Sequence, residues 1–207
     1  MKHTRMMAVA AAMALTAMLA ACTGDGSGRI FSDNYGARRD AGYALPSIPI
    51  YKIDKRFHRQ MVKYDTKEKP GTIIVDTGAR HLYFVMTDGK AMRYGIGVGR
   101  EGFTWKGRAR IALKREWPMW TPPPEMIRRK PELAKWAGGM PPGLDNPLGA
   151  RALYLFNKGG DSGYRLHGTP EWWSIGKAVS SGCIRLINQD IIDLYSRAEV
   201  GAKVVVK

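Results

Sequence analysis

The run from Tyr164 to Asp190 constrains this chain more than any other. It reads Tyr-Arg-Leu-His-Gly-Thr-Pro, then Glu-Trp-Trp-Ser-Ile-Gly-Lys-Ala-Val, then Ser-Ser-Gly-Cys-Ile-Arg-Leu-Ile-Asn-Gln-Asp. Two short strand-like pieces, 163–167 and 181–186, each bring one reactive side chain forward: His167 ends the first, and Cys183 lies within the second. The chain has two cysteines, and the other, Cys22, lies beside a leader, so Cys183 is the single thiol of the folded part. A nucleophilic thiol needs a base within hydrogen-bond reach and backbone N–H groups aimed at the developing oxyanion. A small-residue turn ending in Cys, here Ser180-Ser181-Gly182, supplies exposure and donors together. The plain alternative is a small buried hydrophobe in Cys183 and a turn residue in His167. One Cys and one His do not make a zinc site, which takes three or four protein ligands.

The whole string decides between these. His-Gly-Thr, a spacer, then Ser-x-Gly-Cys-Ile-Arg-Leu-x-Asn-x-Asp resembles the signature of the L,D-transpeptidases, the YkuD-type domain of peptidoglycan enzymes. The likeness runs upstream through Asn146-Pro147-Leu148-Gly149 to about Gly71 and downstream to the C-terminus. The family carries His between the Ser and the Gly, and here that position is Ser181, whose hydroxyl donates a hydrogen bond but carries no charge near pH 7.

The resemblance implies a mainly β fold with short helices, a sandwich of mixed sheets with Cys and His on one rim. It implies Cys183 as nucleophile and His167 as base, with the Gly168 carbonyl orienting the imidazole. Backbone donors around Ser181 and Gly182 would hold the oxyanion. Ser180, Arg185, Trp172 and Trp173 are the candidate substrate contacts. Arg185 either binds a substrate carboxylate or forms a structural ion pair, and the tryptophans either line a groove or simply pack. The implied donor is a peptidoglycan tetrapeptide stem, cleaved after its third residue with release of D-alanine. The thioester then passes to an amine, giving a 3→3 crosslink or a protein joined to the wall, with no metal or organic cofactor. Hydrolysis of the same bond by an L,D-carboxypeptidase, or a catalytically inactive wall-binding lipoprotein, are the rival readings.

Residues 1–21 read as an export leader: Lys2 and Arg5, then an apolar run from Met6 to Ala21. Leu19-Ala20-Ala21-Cys22 resembles a bacterial lipobox, with Cys22 the point of acylation; the alternative is an ordinary signal peptide with an incidental Cys. Each buried CH₂ contributes about 0.8 kcal/mol, so several acyl chains hold a protein on a membrane. Thr23 stands where Asp marks inner-membrane retention in Gram-negative lipoproteins, so an outer-membrane lipoprotein facing the periplasm is expected. The formal charge of +15 suits anionic lipid or wall polymer. No helix-turn-helix, zinc-finger or aromatic RNA-binding pattern accompanies it, so nucleic acid ranks last.

Residues 22–70 read as a tether and a basic approach segment, with Phe57, Met61, Val62 and Tyr64 available to dock. From residue 71 the period becomes that of strands, and 71–207 is the expected catalytic domain. Asp88-Gly89 closes a hairpin, and His81 is expected at the domain surface. Residues 118–147, with Pro122-Pro123-Pro124, Trp120, Trp136 and Pro141-Pro142, form an insert of lid or surface-excursion type, with a short helix over 131–137. Asn188 or Asp190 is expected to cap a helix through Arg197.

Overall fold

The computed structural model describes residues 30–31, 35–100, 105–180 and 182–207. The leader, Cys22 and Ser181 therefore lie outside the described residues. In chain order the strands are β1 (Ile30–Phe31), β2 (Arg38–Asp40), β3 (Tyr43–Leu45), β4 (Gln60–Lys63), β5 (Ile73–Asp76), β6 (His81–Val85), β7 (Lys90–Gly95), β8 (Val98–Gly99) and β9 (Gly107–Glu116). Then come α1 (Pro124–Arg129), β10 (Arg151–Asn157), β11 (Gly160–Thr169), β12 (Ala178–Ser180), β13 (Ile184–Ile187), α2 (Asn188–Arg197) and β14 (Lys203–Val206).

Ten of these strands form one mixed sheet in the order β1-β4-β7-β6-β5-β14-β9-β10-β11-β13. Two adjacent pairs run parallel, β5 with β14 and β11 with β13. The sheet bends over one core: Leu82, Met92 and Tyr94 from one half share a cluster with Leu153, Leu166 and Leu186 from the other. Gly97, two residues past β7, bridges Arg185 of the edge strand β13. The chain is thus mainly β with short helices, and the two layers of the sandwich are continuous in one hydrogen-bonded sheet. The β6–β7 hairpin turns through Asp88 and Gly89 at φ 59° and 62°, the doubly left-handed turn that matches strand twist.

The approach segment is not separate from the domain where it is described. β4 pairs with β7, Phe57 is buried with Tyr35, Ile53, Ile175 and Ile187, and Tyr64 stacks on Tyr83 at 4.2 Å. Glycines make room for it: a Cβ on Gly95 would lie 2.3 Å from the Phe57 carbonyl oxygen, and one on Gly176 would lie 2.4 Å from the Phe57 ring. Arg59, within the basic approach segment, is buried beside Asp190 and Asp193 of α2. His81 is buried too, not on the surface, with Nε2 bonded to the Arg56 carbonyl at 2.9 Å. Periodicity did not reveal these contacts because they join segments distant in sequence.

In the 118–147 insert, α1 and a 3₁₀ turn at Pro131–Trp136 bury no side chain, and Trp120 bridges Met140. Asn146 fastens its base. The Nδ2 group donates to the carbonyls of Pro118 at 3.1 Å and Pro141 at 3.0 Å, and Oδ1 accepts from Leu148 at 2.9 Å.

Candidate active site

β11 and β13 carry the site. Their parallel register pairs His167 with Arg185 and Leu166 with Ile184. Alternation sends Leu166, Ile184 and Leu186 into the core and leaves His167 and Arg185 on the opposite face. Cys183 stands immediately before β13 and not within it. The Arg165 backbone N–H is near enough to favour its thiolate. The strand pair therefore brings the thiol and the imidazole to the same edge.

The His167 ring is buried, and its Nδ1–H donates to the Gly168 carbonyl at 2.6 Å. With that proton committed, Nε2 is the basic nitrogen. The Pro147 carbonyl also favours the protonated ring, though less than the Gly168 carbonyl does. Burial outweighs both carbonyls and, aided by Arg185 and Arg165, depresses the imidazole pKa to about 4. Burial likewise pushes the half-buried Cys183 thiol up, against the opposing pull of the Arg165 N–H and the two guanidiniums. Both groups rest neutral near pH 7, which differs from the thiolate–imidazolium pair common at reactive cysteines.

The turn before Cys183 is built by Ser180. Ser180 is buried; its Oγ donates to the Cys183 carbonyl at 2.8 Å and accepts from Gly182 N at 3.2 Å. Ser180, a candidate substrate contact, thus braces the turn with its hydroxyl. The Gly182 N–H, expected at the oxyanion, is engaged there as well. Gly182 itself sits at φ 125°, which glycine adopts freely.

Arg185 forms an ion pair with Glu171 at 2.6 Å. Trp172 packs against the Phe57 cluster, while Trp173 is exposed. Both line an open groove with Lys52, Phe57 and Lys177 that includes neither Cys183 nor His167.

Two supports escaped the motif. Asn188 was expected to cap α2; the helix begins at Asn188 itself, and its Oδ1 accepts from the Ala150 N–H at 2.9 Å. Arg165 carries the N–H that favours the thiolate, and only the β11–β13 register reveals its place. Among the described residues no cluster of three or more His, Cys, Asp or Glu side chains is placed to hold a metal ion.

The L,D-transpeptidase catalytic domain family, YkuD, matches residues 70–206. A protein named as an L,D-transpeptidase in the ATP synthase subunits region of Fuscovulum blasticum is 33% identical over 72% of this chain and 75% of its own length. The "Probable L,D-transpeptidase ErfK/SrfK" of Escherichia coli is 34% identical over 70% of this chain, which spans only 46% of that protein. Among solved structures, one from Brucella melitensis titled as a probable carnitine operon oxidoreductase is 48% identical with a TM-score of 0.52, over 77% of this chain and 99% of that one. The matched span takes in the His167 strand, the Cys183 turn and the Asn146 foot alike, and this chain belongs to the L,D-transpeptidase catalytic domain family.

Proposed function

We propose that this protein is a cysteine-dependent L,D-transpeptidase that acts on peptidoglycan tetrapeptide stems through a thioester. The observation that carries the reading is the one thiol among the described residues, at a glycine turn, beside the strand that holds a His with its Nδ1–H fixed on Gly168. Because both groups rest neutral, the attack is general-base catalysed. As the Cys183 sulfur bonds to the stem carbonyl, its proton moves to Nε2 of His167. The imidazolium then gives that proton to the departing amine nitrogen; the C–N bond breaks, D-alanine leaves and the thioester remains. An acceptor amine attacks the thioester, yields a new amide and regenerates the thiol. The acceptor is a second stem, giving a 3→3 crosslink, or a protein amine.

The basic surface suits an anionic wall and membrane. Acylation at Cys22 would tether the domain to the outer membrane, facing the periplasm. Fatty-acid labelling of wild type against Cys22→Ala tests the anchor; an unlabelled wild type leaves only export.

Muropeptide mass spectrometry with purified protein tests the reaction. Crosslinked dimers support transfer, tripeptides support hydrolysis, and tetrapeptides left unchanged by wild type and Cys183→Ala alike support a wall-binding lipoprotein. Cys183→Ala and His167→Ala are expected to lose nearly all turnover. Ser181→Ala is expected to keep a measurable part, since one base suffices.

A further inference from the structure

Two segments distant in sequence, 50–57 and 171–179, meet on a common apolar floor. Ile53, Phe57 and Ile175 are buried together there, and Trp172 packs against them. Gly176 leaves room for the Phe57 ring, where a Cβ would lie 2.4 Å away. Above this floor stand rings that the rest of the described chain does not cover. Of six large apolar side chains exposed among the described residues, three lie on these two segments: Tyr51 at 82%, Trp173 at 54% and Val179 at 43%. Trp172 meets Trp173 edge to face, with centroids 5.5 Å apart and planes at 85°. Large apolar side chains scattered singly over a surface need no explanation, but a gathering of them marks a contact site.

Charge on the same segments has one sign in excess. Lys52, Lys55, Arg56 and Lys177 are exposed, against Asp54 and Glu171. Both acids are matched. Asp54 pairs with Arg56 at 3.2 Å and also accepts the Arg56 N–H, and Glu171 pairs with Arg185 at 2.6 Å. Lys52 holds its ammonium 5.9 Å from the centre of the Tyr51 ring, and Lys52 and Lys177 line the same groove as the two tryptophans.

Aromatic rings and ammonium groups thus share one face. That combination fits the boundary of an anionic bilayer. Rings settle at the headgroup level, lysine stems lie along apolar surface, and the ammonium groups reach phosphate. A sugar chain fits less well. Its hydroxyls call for acceptors turned into the groove, and the one carboxylate among the lining residues, Asp54, is turned onto Arg56.

We propose that this face, built on Tyr51 and Trp173 with Lys52 and Lys177, docks on an anionic phospholipid surface. The contact is reversible and made by side chains alone, so it is separate from any acyl chain on Cys22 and does not depend on the thioester reading. Glu171 ties the second segment to Arg185 of β13, so docking also sets how the β11–β13 edge stands relative to the lipid.

The test uses full-length protein with vesicles of phosphatidylcholine alone, or of phosphatidylcholine and phosphatidylglycerol in equal parts. Bromine on the acyl chains quenches any indole that enters the boundary. Residues 1–104 contain no tryptophan, so insertion of the leader gives no signal of its own. Wild type is expected to be quenched by the anionic vesicles and not by the neutral ones, and Trp173→Phe to lose the quenched component. Lys52→Gln and Lys177→Gln are each expected to raise the lipid concentration at half quenching about fivefold, the scale of one cation at an anionic surface. Arg108→Gln, which removes an exposed cation on β9, leaves that concentration unchanged. Every residue changed is exposed, so the variants retain the fold. Equal quenching by both kinds of vesicle, quenching that survives Trp173→Phe, or an effect of Arg108→Gln as large as that of either lysine overturns the proposal. Absence of quenching by any vesicle overturns it as well, and a shift of Trp173 emission with soluble wall glycan would then assign the groove to sugar.

Discussion

Asn188 Oδ1 accepts the Ala150 N–H at 2.9 Å, and that bond fixes the first turn of α2 against the chain that enters β10. The contact is sheltered, with Ala150 fully buried and Asn188 nearly so. Asn188→Ala strips the buried N–H of its acceptor, which costs about 1–3 kcal/mol. The expected result is a lower urea midpoint with unchanged m-value. A midpoint within error of wild type would show that the bond contributes nothing.

Gly149 and Gly168 close around the same oxygen. A Cβ on either would lie 2.2 Å from Asn188 Oδ1, and Gly149 also holds φ 60°. Alanine at either position has to expel the asparagine or part the strands. Gly168→Ala is expected to destabilise by more than about 3 kcal/mol, in the range of severe core defects. It should also slow turnover in the protein that remains folded, because the Gly168 carbonyl holds His167. A soluble, fully active Gly168→Ala would contradict the packing described here.

Stability against pH separates two buried groups of opposite sign. His167 has its pKa lowered from 6.5 to about 4 by burial. Between those values the unfolded chain binds a proton that the native state refuses, so the contribution of His167 is lost as pH falls through that window, by about 3 kcal/mol in all. Asp190 is raised from 3.8 to about 7, chiefly by burial. It binds its proton more tightly when folded, so its contribution is present at low pH and lost as pH rises toward 7. The two slopes oppose each other between pH 4 and 6.5, and wild type should be nearly flat there. Asp190→Asn should unmask a loss of stability toward acid in urea melts. A flat profile in that variant would show that His167 is not held neutral.

The thiol should react slowly. Burial raises the Cys183 pKa above the ordinary thiol value, and the neutral imidazole lends it no charge. Iodoacetamide alkylation followed by intact mass should be slower than for a free thiol at pH 7, with a pH midpoint above that of the free thiol. Rapid modification at pH 6 would mean that the pair rests as thiolate and imidazolium.

The sequence by itself determined the family and the place of its motif. His167, Cys183 and the glycine turn sit in a pattern too specific to mean ordinary packing, and the Asp88-Gly89 hairpin and the β-branched run at Ile73–Val75 announce strands through local rules. Tertiary structure decided what depends on distant partners. The approach segment joined the sheet because Phe57 finds space over Gly95 and Gly176, a fit between positions far apart in the chain. Asn188 became a strut because Ala150 lies beside it, and Ser180 became a turn brace because its hydroxyl folds back onto Cys183. Arg165 entered the site because a parallel register sets it beside the thiol. The charge state of the pair was decided in the same way. A pKa follows from burial and surrounding charges, and these exist only once the strands have met.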